Sequence, residues 1–306
     1  MDSTVSDALR VAVEMIAQVK EEDRILEIVD DSTEFLVKEL ESILDRNEKK
    51  ILVLSAQKNI SMSDVTDRDV IFLFTRDNLC FSPTIARVVE EGKKVLCCAK
   101  CTPQKLMKSI PRNLKKSHDT TLRLVSSLRK NSLFEIMSRN GHKLTGRIDE
   151  FPPKYVGFLM DKKDGFSILP GGIIGVPIIP GTVDGEIFIN GFVDGAGRIE
   201  TPVILKIEAG RVRILNQSEA PSSIVESVSF PWFKPCELGI GTNPNSETSD
   251  DIHESESEYG VIDVGFGENV HIGGPIQGSR HFDITTKWAT LRIDGRVIIE
   301  EGKIKA

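Results

Sequence analysis

Glycine is spread so unevenly along this chain that it divides the fold in advance. Only Gly92, Gly141 and Gly146 of the 24 glycines precede residue 150, and the prolines shift the same way. Glycine is costly inside helices and strands and favoured in turns that need unusual backbone angles. The glycine-poor part therefore reads as helices alternating with buried strands, and the glycine-rich part as strands joined by tight turns. We expect two domains: residues 1–150, a Rossmann-like parallel α/β domain, and residues 151–306, a strand-rich domain carrying the ligand cleft. A chain of 306 residues is long enough for both.

Periodicity fills in the first part. Leu9, Val13, Ile16 and Val19 recur at helical spacing across residues 5–21. Ile25 to Val29, Ile51 to Leu54, Val70 to Phe74 and Val95 to Cys98 are continuous apolar runs, as in strands covered on both faces. Ser32 or Thr33 is placed to cap a helix over 33–46. Pro83 to Gly92 reads as a short helix, and 117–139 as a longer one. This alternation argues for a parallel sheet. No Gly-x-Gly-x-x-Gly or Walker loop follows any of its strands, so a dinucleotide site is rejected. In the second part, Phe188–Ile189, Val203–Ile207, Val212–Leu215, Thr290–Ile293 and Val297–Ile299 read as strands separated by Asp-Gly and Ala-Gly turns. The acidic stretch 243–258 reads as a surface loop with His253 in solvent. His118 and His142 are read as isolated surface residues.

Bulk properties narrow the function. A net charge of -7 gives no general attraction to nucleic acid or to an anionic membrane. No run has the length and purity of a membrane span. Five scattered cysteines, and no basic-then-apolar segment at the N-terminus, point to a cytoplasmic protein with reduced thiols. Cys98-x-x-Cys101 stands without a second pair or a helix N-terminus, so it reads as buried or edge thiols. The basic run from Arg112 to His118 lacks aromatic partners and reads as a solvated helix end.

The chemistry concentrates in 236–283. His281-x-Asp283 on a strand places imidazole and carboxylate on one face, because strand side chains alternate. That pair, with Glu237 from a neighbouring loop, is able to clamp one divalent metal. The bland reading is a hydrogen-bonded pair in which Asp283 orients His281, with Glu237 accepting N–H bonds from the glycine segment that follows it.

The stretches Leu169-Pro170-Gly171-Gly172, Asp184 to Ile187, Glu237 to Pro244, Gly260 to Gly267, Gly273-Gly274, Ser279-x-His281-x-Asp283 and Asp294-Gly295 together resemble the aminopeptidase T family of metallopeptidases. Its scaffold is similar to that of 2,5-dihydroxypyridine dioxygenase. The resemblance covers about 169 to 302. It implies a two-metal site, a peptide or small-molecule substrate and a homodimer. The chain departs from the family's pattern: Ile173 stands where a glutamate ligand is expected, Asp263 where a histidine is expected, and Val270 where a catalytic tyrosine is expected. Glu237, His281 and Asp283 are retained. The resemblance then implies a reduced site of Asp263, His281 and Asp283 around one iron, zinc or manganese ion, with Glu237 as ligand or acid/base. His271 supplies the missing imidazole if its loop folds inward.

Three functions follow. The first is a mononuclear metal-dependent enzyme, oxygenase-like or hydrolase-like. The second is a non-catalytic relative that binds a peptide or small molecule without metal. The third is a two-metal, leucyl aminopeptidase-like enzyme, against which Ile173 and Val270 weigh most.

Overall fold

The computed structural model describes residues 4–55, 60–80, 82–110, 113–150, 155–156, 158–160 and 165–305. The chain forms two compact units. One is Met1–Lys115 with Val156–Gly171; the other is Lys116–Tyr155 with Gly172–Ala306. The chain thus crosses between units more than once, and a single division at residue 150 does not describe it.

In the first unit, five parallel strands lie in the order Lys49–Leu54, Ile25–Asp30, Val70–Thr75, Lys94–Ala99, Phe166–Ile168. The four apolar runs read from sequence are the first four of these strands, and Phe166–Ile168 joins them from beyond residue 150. Leu26, Ile28, Leu73, Val95 and Cys97 fill a core on one face, and Ile25, Phe72, Phe74, Leu96 and Cys98 fill a core on the other. Helices Phe35–Ile43 and Pro83–Glu90 belong to this unit. Ser82 caps the second, but neither Ser32 nor Thr33 caps the first. Thr33 instead donates its hydroxyl to the Phe74 carbonyl at 2.6 Å, and Ser32 bonds to Asp30. All five cysteines are buried free thiols.

In the second unit the expected helix 117–139 is shorter. It spans Leu114–Ser127, and Leu133–Met137 is a strand. The helix ends at Ser127, and in the turn that follows Asn131 has a left-handed φ of 64° that no helix could continue through. Beyond it Phe134 and Ile136 alternate into the core, the period of a strand. That strand joins Lys143–Arg147, Asp184–Ile189, Val203–Glu208, Arg211–Ile214, Thr290–Ile293 and Arg296–Glu300 in one antiparallel sheet. A second sheet contains, side by side and antiparallel, Ile173–Pro177, Pro235–Gly241, Ile262–Gly267 and His281–Thr286. One core joins the two, with Phe134, Ile187 and Leu205 from the first and Leu238, Val264, Phe266 and Ile284 from the second. Phe233 stacks on Phe266 at 4.3 Å between ring centroids.

The segment 243–258 is not a plain surface loop. It contains the helix Ile252–Ser257, which buries His253, Ser255 and Ser257. His142 is likewise no isolated residue: it meets Glu186 at 2.8 Å and stacks on Phe188. Among the described residues no helix is long and apolar enough to cross a membrane.

Candidate metal centre

The core of the second sheet fixes which side chains face away from it. Leu238 and Ile240 enter the core, so Glu237 and Gly239 lie on the opposite face of Pro235–Gly241. By the same alternation Val264 and Phe266 point inward and Asp263, Gly265 and Gly267 outward. Phe282 and Ile284 point inward and His281 and Asp283 outward. Register brings these positions into line. Gly265 stands opposite both Glu237 and Asp283, Gly239 opposite Asp263, and Gly267 opposite His281. Glu237 is therefore a strand residue, not a loop ligand.

Two glycines make the room. A Cβ on Gly265 would lie 2.7 Å from His281 Cε1 and 3.0 Å from Glu237 Cβ. A Cβ on Gly175, in the adjacent strand, would lie 2.3 Å from Glu237 Oε1. Any other residue at either position would occupy the space these side chains use.

His271 comes from outside the sheet. It sits in the single 3₁₀ turn Val270–Ile272, ended by Gly273 in the left-handed conformation. The turn is held from within by Asn269, which is wholly buried. Asn269 donates Nδ2–H to the Cys236 carbonyl at 2.9 Å and accepts the Ile276 N–H at 2.8 Å. His271 thereby meets the sheet face. Its ring stands edge-on to that of His281, with centroids 4.6 Å apart at 83°.

Glu237 Oε2 lies 3.4 Å from His271 Nε2 and 3.4 Å from His281 Nε2. The three ligand atoms fall within 4.8 Å of one another, the one such group among the described residues. Oε2 is buried and has no hydrogen-bond partner. A buried carboxylate oxygen left unsatisfied between two imidazole nitrogens calls for a cation. Two imidazoles and one carboxylate are a set that suits iron, zinc or manganese. The residues present therefore fit one divalent ion.

The surroundings set the charge. His281 Nδ1 faces the Glu268 carbonyl at 2.6 Å and so carries a proton. Its Nε2 meets Asp283 Oδ1 at 2.8 Å. Burial opposes the imidazolium, yet the Asp283 charge and hydrogen bond outweigh burial and hold His281 far above its ordinary pKa. Burial likewise opposes Asp283 ionisation, and His281 reverses it, leaving Asp283 below its usual value. For His271, burial is again overcome, by the Glu237 and Glu268 carboxylates, and the pKa rises to about 9. Cys236 lies 3.9 Å from His281 Nδ1, but burial pushes its thiol up to about 12, so it is no nucleophile.

Only His281 of the expected trio Asp263, His281 and Asp283 belongs to the three-residue group. Asp283 contacts it through His281. Asp263 is buried on the same face with Oδ1 unpartnered. Burial, and then the charges of Asp283, Glu256 and Glu237, push its pKa well above the carboxylate range. Ile173 is buried on the edge of this region, opposite Gly241, and Val270 is half exposed beside His271. Two contributors went unread in the sequence: Glu268, and the buried His253–Glu256 pair at 3.0 Å. Each shows as an i, i+3 Glu/His pairing, visible in hindsight as Glu268-x-x-His271 and His253-x-x-Glu256. A groove of about 920 Å³ lined by Trp232, Lys234, Glu268 and Arg280 runs nearby. It shares Glu268 with the centre but none of Glu237, His271 or His281.

No family model and no curated protein sequence matches the chain. Solved structures do. The 2,5-dihydroxypyridine dioxygenase from Pseudomonas putida KT2440 superposes with a TM-score of 0.79 at 13% identity, covering 99% of this chain and 97% of that one. Wild-type AmpT from Thermus thermophilus superposes with a TM-score of 0.70 at 9% identity, covering 99% of each. At these identities the likeness is one of fold, and the chain has the mixed α/β fold of these two proteins.

Proposed function

We propose that this chain is a mononuclear metal-dependent enzyme of the oxygenase type, with Glu237, His271 and His281 as the ligands of one ferrous ion. The observation that carries the reading is the unsatisfied Glu237 Oε2 held 3.4 Å from two imidazole nitrogens. A two-His-one-carboxylate set leaves coordination positions open and is the pattern of non-haem ferrous oxygenases. The fold shared with a protein named 2,5-dihydroxypyridine dioxygenase supports the same reading and suggests a small aromatic substrate. The hydrolase-type alternative uses the same residues with zinc.

The bound ion would supply redox capacity and sites for substrate. The chain's own residues do the rest. The Glu268 carbonyl fixes the His281 tautomer so that Nε2 faces the ion. Asp283 Oδ1 lies 2.8 Å from the same nitrogen and orients the ring from its other end. Burial and the neighbouring carboxylates hold Asp263, on the same sheet face, above the usual carboxylate range and so favour its protonated form.

Metal content after anaerobic addition of ferrous, zinc or manganese ions tests the reading. About one equivalent is expected, lost in His271→Ala and in His281→Ala, with oxygen consumption in the ferrous form on a dihydroxylated aromatic ring. Retention of the ion by His281→Ala would sink the ligand assignment. About two equivalents would point to the two-metal aminopeptidase chemistry, and none under any condition to a non-catalytic binding protein.

A further inference from the structure

We infer that Glu268 is the positioning residue for both imidazoles, acting on one through its side chain and on the other through its main chain. Its carboxylate accepts from His271 Nδ1 at 3.1 Å and from the Val270 N–H at 3.1 Å. Its carbonyl accepts from His281 Nδ1 at 2.6 Å and from the Cys236 thiol at 3.5 Å. The two ligands come from different elements, a 3₁₀ turn and a strand, and share no backbone contact of their own. Glu268 lies between those elements, directly after the strand Ile262–Gly267. It holds each ring at Nδ1, leaving each Nε2 3.4 Å from Glu237 Oε2, with that of His281 also bonded to Asp283 at 2.8 Å.

Its place is itself fixed. The Glu268 N–H donates to the Arg280 carbonyl at 2.9 Å, and the neighbouring Gly267 leaves no room for a side chain, since a Cβ there would lie 2.3 Å from that carbonyl. Asn269 anchors the following residue to Cys236. An orienting partner on the far nitrogen of a ligating histidine typically governs metal affinity by about 10–100-fold. Here one residue supplies that partner twice, and only one of the two contacts is removable by mutation of the side chain.

The inference rests on the metal reading, and cobalt(II) binding separates the two. Affinity is read by calorimetry, ligand geometry by the visible absorption of the bound cobalt, and folding by thermal melting of the ion-free chain. Glu268→Ala is expected to weaken cobalt binding about 10–100-fold and to alter the spectrum. Glu268→Gln, which keeps an acceptor for His271, is expected to retain the wild-type spectrum and most of the affinity. Equal affinity and identical spectra in wild type and Glu268→Ala overturn the assignment. Failure of the wild-type chain to bind cobalt overturns the metal reading itself. If Glu268→Ala melts before it can be titrated, the Glu268→Gln spectrum decides, and a spectrum unlike wild type counts against the assignment.

Discussion

Residues are where burial and charge collide in this protein. Gly265 is the steric case at the centre itself, with the space of its missing Cβ taken by His281 and Glu237. Gly265→Ala is expected to cost about 1–3 kcal/mol through overpacking and to weaken metal binding with it, measured by urea unfolding and zinc titration. A chain that keeps full zinc affinity would show that the cradle has slack. Glu27 is the clearest charge case. It is fully buried in the strand Ile25–Asp30, and neither carboxylate oxygen has a partner. Burial, with Glu41 adding to it, raises its pKa to about 7 from 4.5. The folded state thus holds a proton that the unfolded state gives up above 4.5. Stability from this group is intact below 4.5 and is lost as pH rises through about 7. A shift of this size is worth about 3 kcal/mol. Glu27→Gln is expected to stabilise the chain at pH 8 and to change little at pH 4; equal effects at both pH values would refute the account.

At the scale of elements, the strand Ile262–Gly267 and the turn after it do most of the positioning. Strand alternation sorts Asp263, Gly265 and Gly267 from Val264 and Phe266, which sequence alone shows. The turn then brings His271 back over the sheet, which sequence does not show. Its closure depends on buried hydrogen bonds of Asn269 to Cys236 and Ile276, groups 33 and 7 residues away. Asn269→Ala leaves those groups unpaired and is expected to cost about 1–3 kcal/mol. Hydrogen exchange should localise the loss to residues 267–276 and to the neighbouring end of Pro235–Gly241. Uniform loss of protection through both sheets would mean that the turn is no separate element. The His253 helix teaches the same lesson. Its polar, acidic sequence reads as solvated, yet in the fold its histidine is buried and paired with Glu256 of the same helix.

On the scale of the whole molecule, each compact unit has its own core, and every member of the candidate centre lies in Lys116–Tyr155 with Gly172–Ala306. Phe72 is fully buried in the first unit. Phe72→Ala is expected to destabilise that unit by about 3–5 kcal/mol. Divalent-ion affinity, measured on the folded chain by calorimetry, should not change. A parallel loss of affinity would show that the centre draws on the first unit.

The sequence by itself determined the fold class, the parallel strands of the first unit and the alternation that puts His281 and Asp283 on one face. These are local or periodic properties, written in runs of apolar residues and in the spacing of two. Tertiary structure alone decided the boundary of the units, since Leu133–Met137 and Lys143–Arg147 pair with strands more than 35 residues away. It also decided the ligand group. Glu237, His271 and His281 are spread over 45 residues, and what unites them is strand register, two absent Cβ atoms and one buried amide. None of these has a period, so none could be read before the chain was folded.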